Sequence, residues 1–132
     1  MTEKLAIIIV DHGSQRPESN AMLEAFVEAF RGRGRFAIVE PAHMELAEPS
    51  LATAFDRCVA RGAKRVIVAP YFFWPGIHMK HDVPDLTAAA AANHPGVKYA
   101  VAEPIGLHPL MHDVIESRID ACLNGQSDDS KI

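Results

Sequence analysis

Four short runs rich in β-formers alternate strictly with four longer segments of helical period, and that alternation leaves few folds open. The β-rich runs are Leu5–Val10, Phe36–Val39, part of Arg65–Phe73, and Lys98–Ala102. The first and third are nearly continuous in Ile, Val and Ala, the pattern of strands covered on both faces. A βαβαβαβα order in one small chain predicts an α/β fold: a three-layer αβα sandwich on a four-stranded parallel sheet with right-handed crossovers. The expected strand order is flavodoxin-like, 2-1-3-4.

The helical segments carry one apolar stripe each. Met22, Leu23, Phe26, Val27 and Phe30 recur at spacings of three and four, with Pro17 at the start and Gly32 and Gly34 at the stop. A second helix runs from Pro49 through Leu51, Phe55, Cys58 and Val59 to Gly62. The Ala-rich DLTAAAAAN is the third, entered through Asp82 as N-cap and Pro84, and closed by His94-Pro95-Gly96. The fourth starts near Pro109 and shows Met111, Val114, Ile115, Ile119 and Cys122. Residues 1–124 are expected to form one α/β domain and 125–132 a polar tail.

With 132 residues, 48% of them hydrophobic, one sizeable core is within reach. A net charge of -4 supplies no basic footprint, which argues against nucleic acid or an acidic membrane surface as partner. The six-residue apolar run in MTEKLAIIIV is too short for a signal or spanning segment, so a cytoplasmic protein is expected. Cys58 and Cys122 lie far apart in helical stripes and read as buried free thiols.

In such a sheet the loops after the strands leave one edge, and ligands bind where the order reverses, between strands 1 and 3. Strand 1 ends in VDHGSQRPESN, strand 2 in VEPAHMELAEPS and strand 3 in YFFWPGIHMKHDVPD. His12, then His43 or Glu45, then His78 or His81 reach this rim, and His108 joins from strand 4. Adjacent strands lie about 4.8 Å apart, so His12 and His78 are placed to converge on one small ligand. Gly13 and Gly76 beside them allow close approach. Two imidazoles with a carboxylate nearby suit a divalent metal or acid-base chemistry. Taken singly, His43, His81, His94, His108 and His112 read as solvated or capping residues. There is no G-x-G-x-x-G, no P-loop, no H-E-x-x-H, and no nucleophile elbow around Ser14. A His12-dependent phosphoryl-transfer enzyme stays open at this point, although Asp11 stands where histidine phosphatases carry arginine.

Over nearly its whole length the chain resembles the small class II tetrapyrrole chelatases, the sirohydrochlorin chelatases of the CbiX type. The resemblance rests on DHGS at Asp11–Ser14, AHMELAEPS at Ala42–Ser50, GAKRVIVAPYFFWPGIHMKHDVPD at Gly62–Asp85, and His108 in PIGLHP. It implies a chelatase-like fold and metal held by His12 and His78, with Co2+, Fe2+ or Ni2+ as substrate and no permanently bound cofactor. Inserting a divalent metal into a sirohydrochlorin-type tetrapyrrole also requires a base for two pyrrole protons, for which His12, His78 and Glu45 are candidates. The macrocycle's carboxylates call for cations, so Arg16 and Lys80, with Ser14, His43 and His81, are expected substrate contacts. A non-catalytic metal or tetrapyrrole carrier on the same fold remains open beside an enzyme of siroheme or cobalamin synthesis. Longer relatives have two lobes where this chain has one, which implies a homodimer. Cys122 alone offers no iron-sulfur cluster.

Overall fold

Strands β1 (Leu5–Asp11), β2 (Ile38–His43), β3 (Arg65–Pro70) and β4 (Lys98–Val101) form one parallel sheet in the order β2-β1-β3-β4. Helices α1 (Pro17–Gly32), α2 (Leu51–Ala60), α3 (Gly76–Ala91) and α4 (Leu110–Gly125) follow the strands one by one. The structure, a computed structural model, describes residues 4–74 and 76–125, without the side chains of residues 77–80. The fold class and strand order are those expected, while of the expected tail 125–132 Gly125 closes α4 and 126–132 lie outside the described residues. Among the described residues no helix is long and apolar enough to cross a membrane.

Alternation of side chains along the strands splits the core in two. Ala6, Ile8, Val10, Val66 and Val68 pack with Leu51, Ala54, Phe55 and Cys58 of α2 and Val83, Ala90 and Ala91 of α3. Ile7, Ile9 and Val39 pack on the other face with Leu23 and Val27 of α1. The first helix opens at Pro17 as expected, where a missing N–H leaves no unmet bond. Ser50 caps α2, its side chain accepting from the Thr53 N–H.

Three local readings need correction. β2 does not stop at Val39 but runs on through Glu40, Pro41 and Ala42 to His43. Glu40 is buried yet paired with Arg31 at 2.9 Å, and Pro41 stands on an edge strand, where proline's lost donor is tolerated. α3 begins at Gly76, not at Asp82, so Asp82 and Pro84 are interior to it and Asp82 is no N-cap. Val83, Thr87, Ala90 and Ala91 are its buried stripe. Packing of that stripe outweighs the local preference of proline for a helix start. Third, Cys58 is buried but Cys122 is exposed. The cause is α4, none of whose described side chains is buried.

Candidate functional site

The carboxyl ends of β1 and β2 are joined beyond their ladder. Asp11 and His43 are register partners, so their side chains leave the same face of the sheet. His43 Nδ1 lies 2.6 Å from Asp11 Oδ1, which also accepts the Gly13 N–H at 3.0 Å. Past the strands, Met44 N–H donates to the Asp11 carbonyl at 2.9 Å and Glu45 N–H to the His12 carbonyl at 3.2 Å. His12 and Glu45 thus stand side by side through their backbones, and both side chains are exposed.

Gly13 is required in this joint. Its φ is +88°, and a Cβ there would run into the Glu45 carbonyl. Leu46, next to Glu45, holds φ +70°, an uncommon conformation for a branched residue. The His12 ring rests on Phe72 with centroids 4.7 Å apart.

Downstream of His12 the loop is clamped by an amide pair. Ser14 N–H donates to Asn20 Oδ1 at 3.0 Å, and Asn20 Nδ2 donates to the Ser14 carbonyl at 2.8 Å. Ser14 Oγ accepts the Arg16 N–H at 3.0 Å, leaving its own hydrogen free for another acceptor. Arg16 is the exposed residue just before α1, close to His12 in sequence. On the β2 side, Ser50 N–H and the Thr53 hydroxyl donate to Glu48 Oε1, and these bonds hold its carboxyl below the usual carboxylate range.

The predicted residues separate as follows. His12, Glu45, Ser14 and Arg16 lie on the rim. His43, expected to touch substrate there, is fully enclosed with 0% of its surface exposed, because β2 continues to it and its ring lies against Asp11. His78 falls in the first turn of α3 rather than in a loop, and its side chain, like that of Lys80, lies outside the described residues. His81 is exposed on α3. Among the described residues no three His, Cys, Asp or Glu side chains cluster closely enough to hold a metal. His108 Nδ1 accepts the Leu110 N–H at the start of α4, and His94 bonds Asp56 at 2.7 Å, both local structural roles. Sequence reasoning missed Asp11 and Asn20 as supports of the His12 loop. The signal for Asp11 was present in D-x-G, an Asx-turn pattern.

Aromatic surface lines the same edge after β3. Trp74 is 81% exposed, with Phe73 before it also exposed, whereas Phe72 is buried against His12. An exposed aromatic pair on the same edge as the exposed His12 imidazole suits a flat ligand.

Comparison with known proteins gives one consistent result. A sirohydrochlorin ferrochelatase from the chloroplast of Arabidopsis thaliana is 55% identical over 89% of this chain and 52% of its own length. A sirohydrochlorin cobaltochelatase of Methanocaldococcus jannaschii is 39% identical over 67% of this chain and 62% of its own. The solved structure of SirB from Bacillus subtilis with Fe3+ superposes with a TM-score of 0.82 at 30% identity, covering 89% of this chain and 46% of that one. The chain therefore spans about half the length of the Arabidopsis and Bacillus relatives. The CbiX family profile matches residues 6–122, and the chain belongs to the CbiX family.

Proposed function

We propose that this protein is a sirohydrochlorin chelatase that inserts ferrous iron or cobalt into the macrocycle. The observation that carries the reading is the 55% identity to a named sirohydrochlorin ferrochelatase across 89% of the chain, with DHGS and Glu45 at one rim. His12 and His78 hold the incoming metal, since imidazole nitrogen suits both ions and still releases them. Glu45, adjacent to His12 through the backbone, takes the pyrrole protons. Arg16, Lys80, Ser14 and His81 meet the macrocycle's carboxylates. The compartment is not carried over with the activity, since the Arabidopsis relative is named as chloroplastic.

The same reading includes a homodimer. Ile115, Ile119 and Leu123, four residues apart, form an exposed apolar stripe on α4, and Leu110 and Val114 of the same helix are exposed as well. On the α1 side of the sheet, Ile67 and Ala69 are only half-buried and Ala100 is exposed, and the small alanines leave room for a helix. A second copy covers both surfaces.

Anaerobic incubation of sirohydrochlorin with Fe(II) or Co(II), followed by absorption spectroscopy with and without protein, tests the activity. Accelerated metal insertion supports it. Tight binding without acceleration replaces the enzyme by a carrier.

A further inference from the structure

We propose that His43 and Asp11 act as a positioning pair that fixes the His12 loop to the Glu45 loop, so that His43 governs metal binding without touching metal or macrocycle. The inference rests on the chelatase reading above. Asp11 as a carboxylate only accepts, so His43 Nδ1 carries the proton in their 2.6 Å bond. The same Asp11 oxygen accepts the N–H of Gly13, the residue directly after His12. One oxygen therefore couples a buried ring at the end of β2 to the turn that presents His12. His43 is in turn fixed by its own N–H, which donates to the Pro49 carbonyl at 2.8 Å.

The opposite ring nitrogen shows why this residue is not a packing element. Among the described residues, His43 Nε2 is the one buried side-chain polar atom without a hydrogen-bond partner. An unpaired polar atom in the interior destabilises the fold, and an apolar residue of similar volume would avoid that cost. What histidine offers and Phe or Leu lacks is the Nδ1 donor to Asp11. The enclosure of the ring excludes contact with a bound macrocycle, so its influence passes through Asp11 and Gly13 to His12.

The test compares His43→Phe, which keeps the volume and removes the donor, with His43→Asn, whose amide nitrogen stands near Nδ1 and retains it. Three quantities are measured on the intact protein: Co(II) affinity by titration, kcat and KM for sirohydrochlorin with Co(II), and the thermal midpoint. His43→Phe is expected to lose about tenfold or more in Co(II) affinity and in kcat, with KM for the macrocycle unchanged and the midpoint equal or higher. His43→Asn is expected to return Co(II) affinity to near that of the wild type. Equal Co(II) affinity in His43→Phe and wild type overturns the proposal, as does equal loss in both variants. Should His43→Phe fail to fold, His43→Gln, whose amide reaches past Asp11, is the comparison for Asn. If wild type binds Co(II) but does not insert it, the chelatase reading falls while the affinity series still judges the pair. If wild type binds no Co(II), both fall.

Discussion

The carbonyl oxygen of Glu45 occupies the space that a side chain on Gly13 would need. This packing of one loop's backbone against the other's bare α-carbon keeps His12 and Glu45 adjacent. Gly13→Ala must both leave a φ of +88° and push Glu45 away, so a stability loss of more than about 2 kcal/mol is expected. Gly34→Ala serves as the control. Its φ is +75°, but nothing lies within 4 Å of the added methyl. Only the conformational cost remains there, about 1 kcal/mol. Urea unfolding of the two variants separates clash from strain, and equal losses would remove the packing explanation.

Arg31 crosses from α1 to the sheet edge, where Nε donates to the Val39 carbonyl at 2.8 Å and Nη2 meets Glu40 at 2.9 Å. Removing the arginine leaves a buried carboxylate whose one remaining ion-pair partner among the described residues is the more distant Arg61, at 3.9 Å. Arg31→Met is therefore expected to lower stability by about 1–3 kcal/mol, and Glu40→Gln by less, because the neutral amide needs no counter-charge. A larger loss in Glu40→Gln would contradict this order.

Burial, followed by the neighbouring charge of Glu40, raises the Cys58 thiol from the ordinary 9.0 to about 12. In the unfolded chain the thiol ionises near its ordinary value, while in the folded chain it stays protonated. Its contribution to stability is thus fully present below about pH 9 and falls as pH rises towards 12, by about 1.4 kcal/mol per pH unit. Cys58→Val removes this term. Denaturation midpoints between pH 8 and pH 10.5 should fall more steeply for wild type than for the variant, and parallel lines would refute the assignment.

Ile115, Ile119 and Cys122 share one face of α4 through spacings of four and three, and the first two are at least half exposed. If that face is the contact between copies, Ile115→Glu with Ile119→Lys should convert a dimer to a monomer at micromolar concentration in sedimentation. The thermal midpoint of the lobe should change little, since these side chains are not part of its core. Labelling of Cys122 should slow as wild-type concentration rises. A dimer that survives the double substitution would move the interface elsewhere.

The ends of two elements show where local reasoning reached its limit. Val39 followed by Glu40 and Pro41 reads as a strand end, because both residues disfavour a sheet on their own. The neutralising Arg31 comes from another helix and the edge position from the strand order, neither of which is a property of those two residues. Likewise Asp82 and Pro84 read as a helix entry. Helix α3 nevertheless starts six residues earlier, placing His78 in its first turn.

By itself the sequence determined the layered architecture and the arrival of the strand-end loops, those of His12 and Glu45 among them, on one edge. Those follow from periodicity and from the handedness of parallel crossovers, which act on the whole chain whatever the details of packing. The tertiary structure alone decided that His43 is interior rather than on the rim, and that the stripe on α4 is left uncovered by its own lobe. A histidine's role depends on which neighbour meets each ring nitrogen, and an amphipathic stripe specifies that it must be covered without specifying by what.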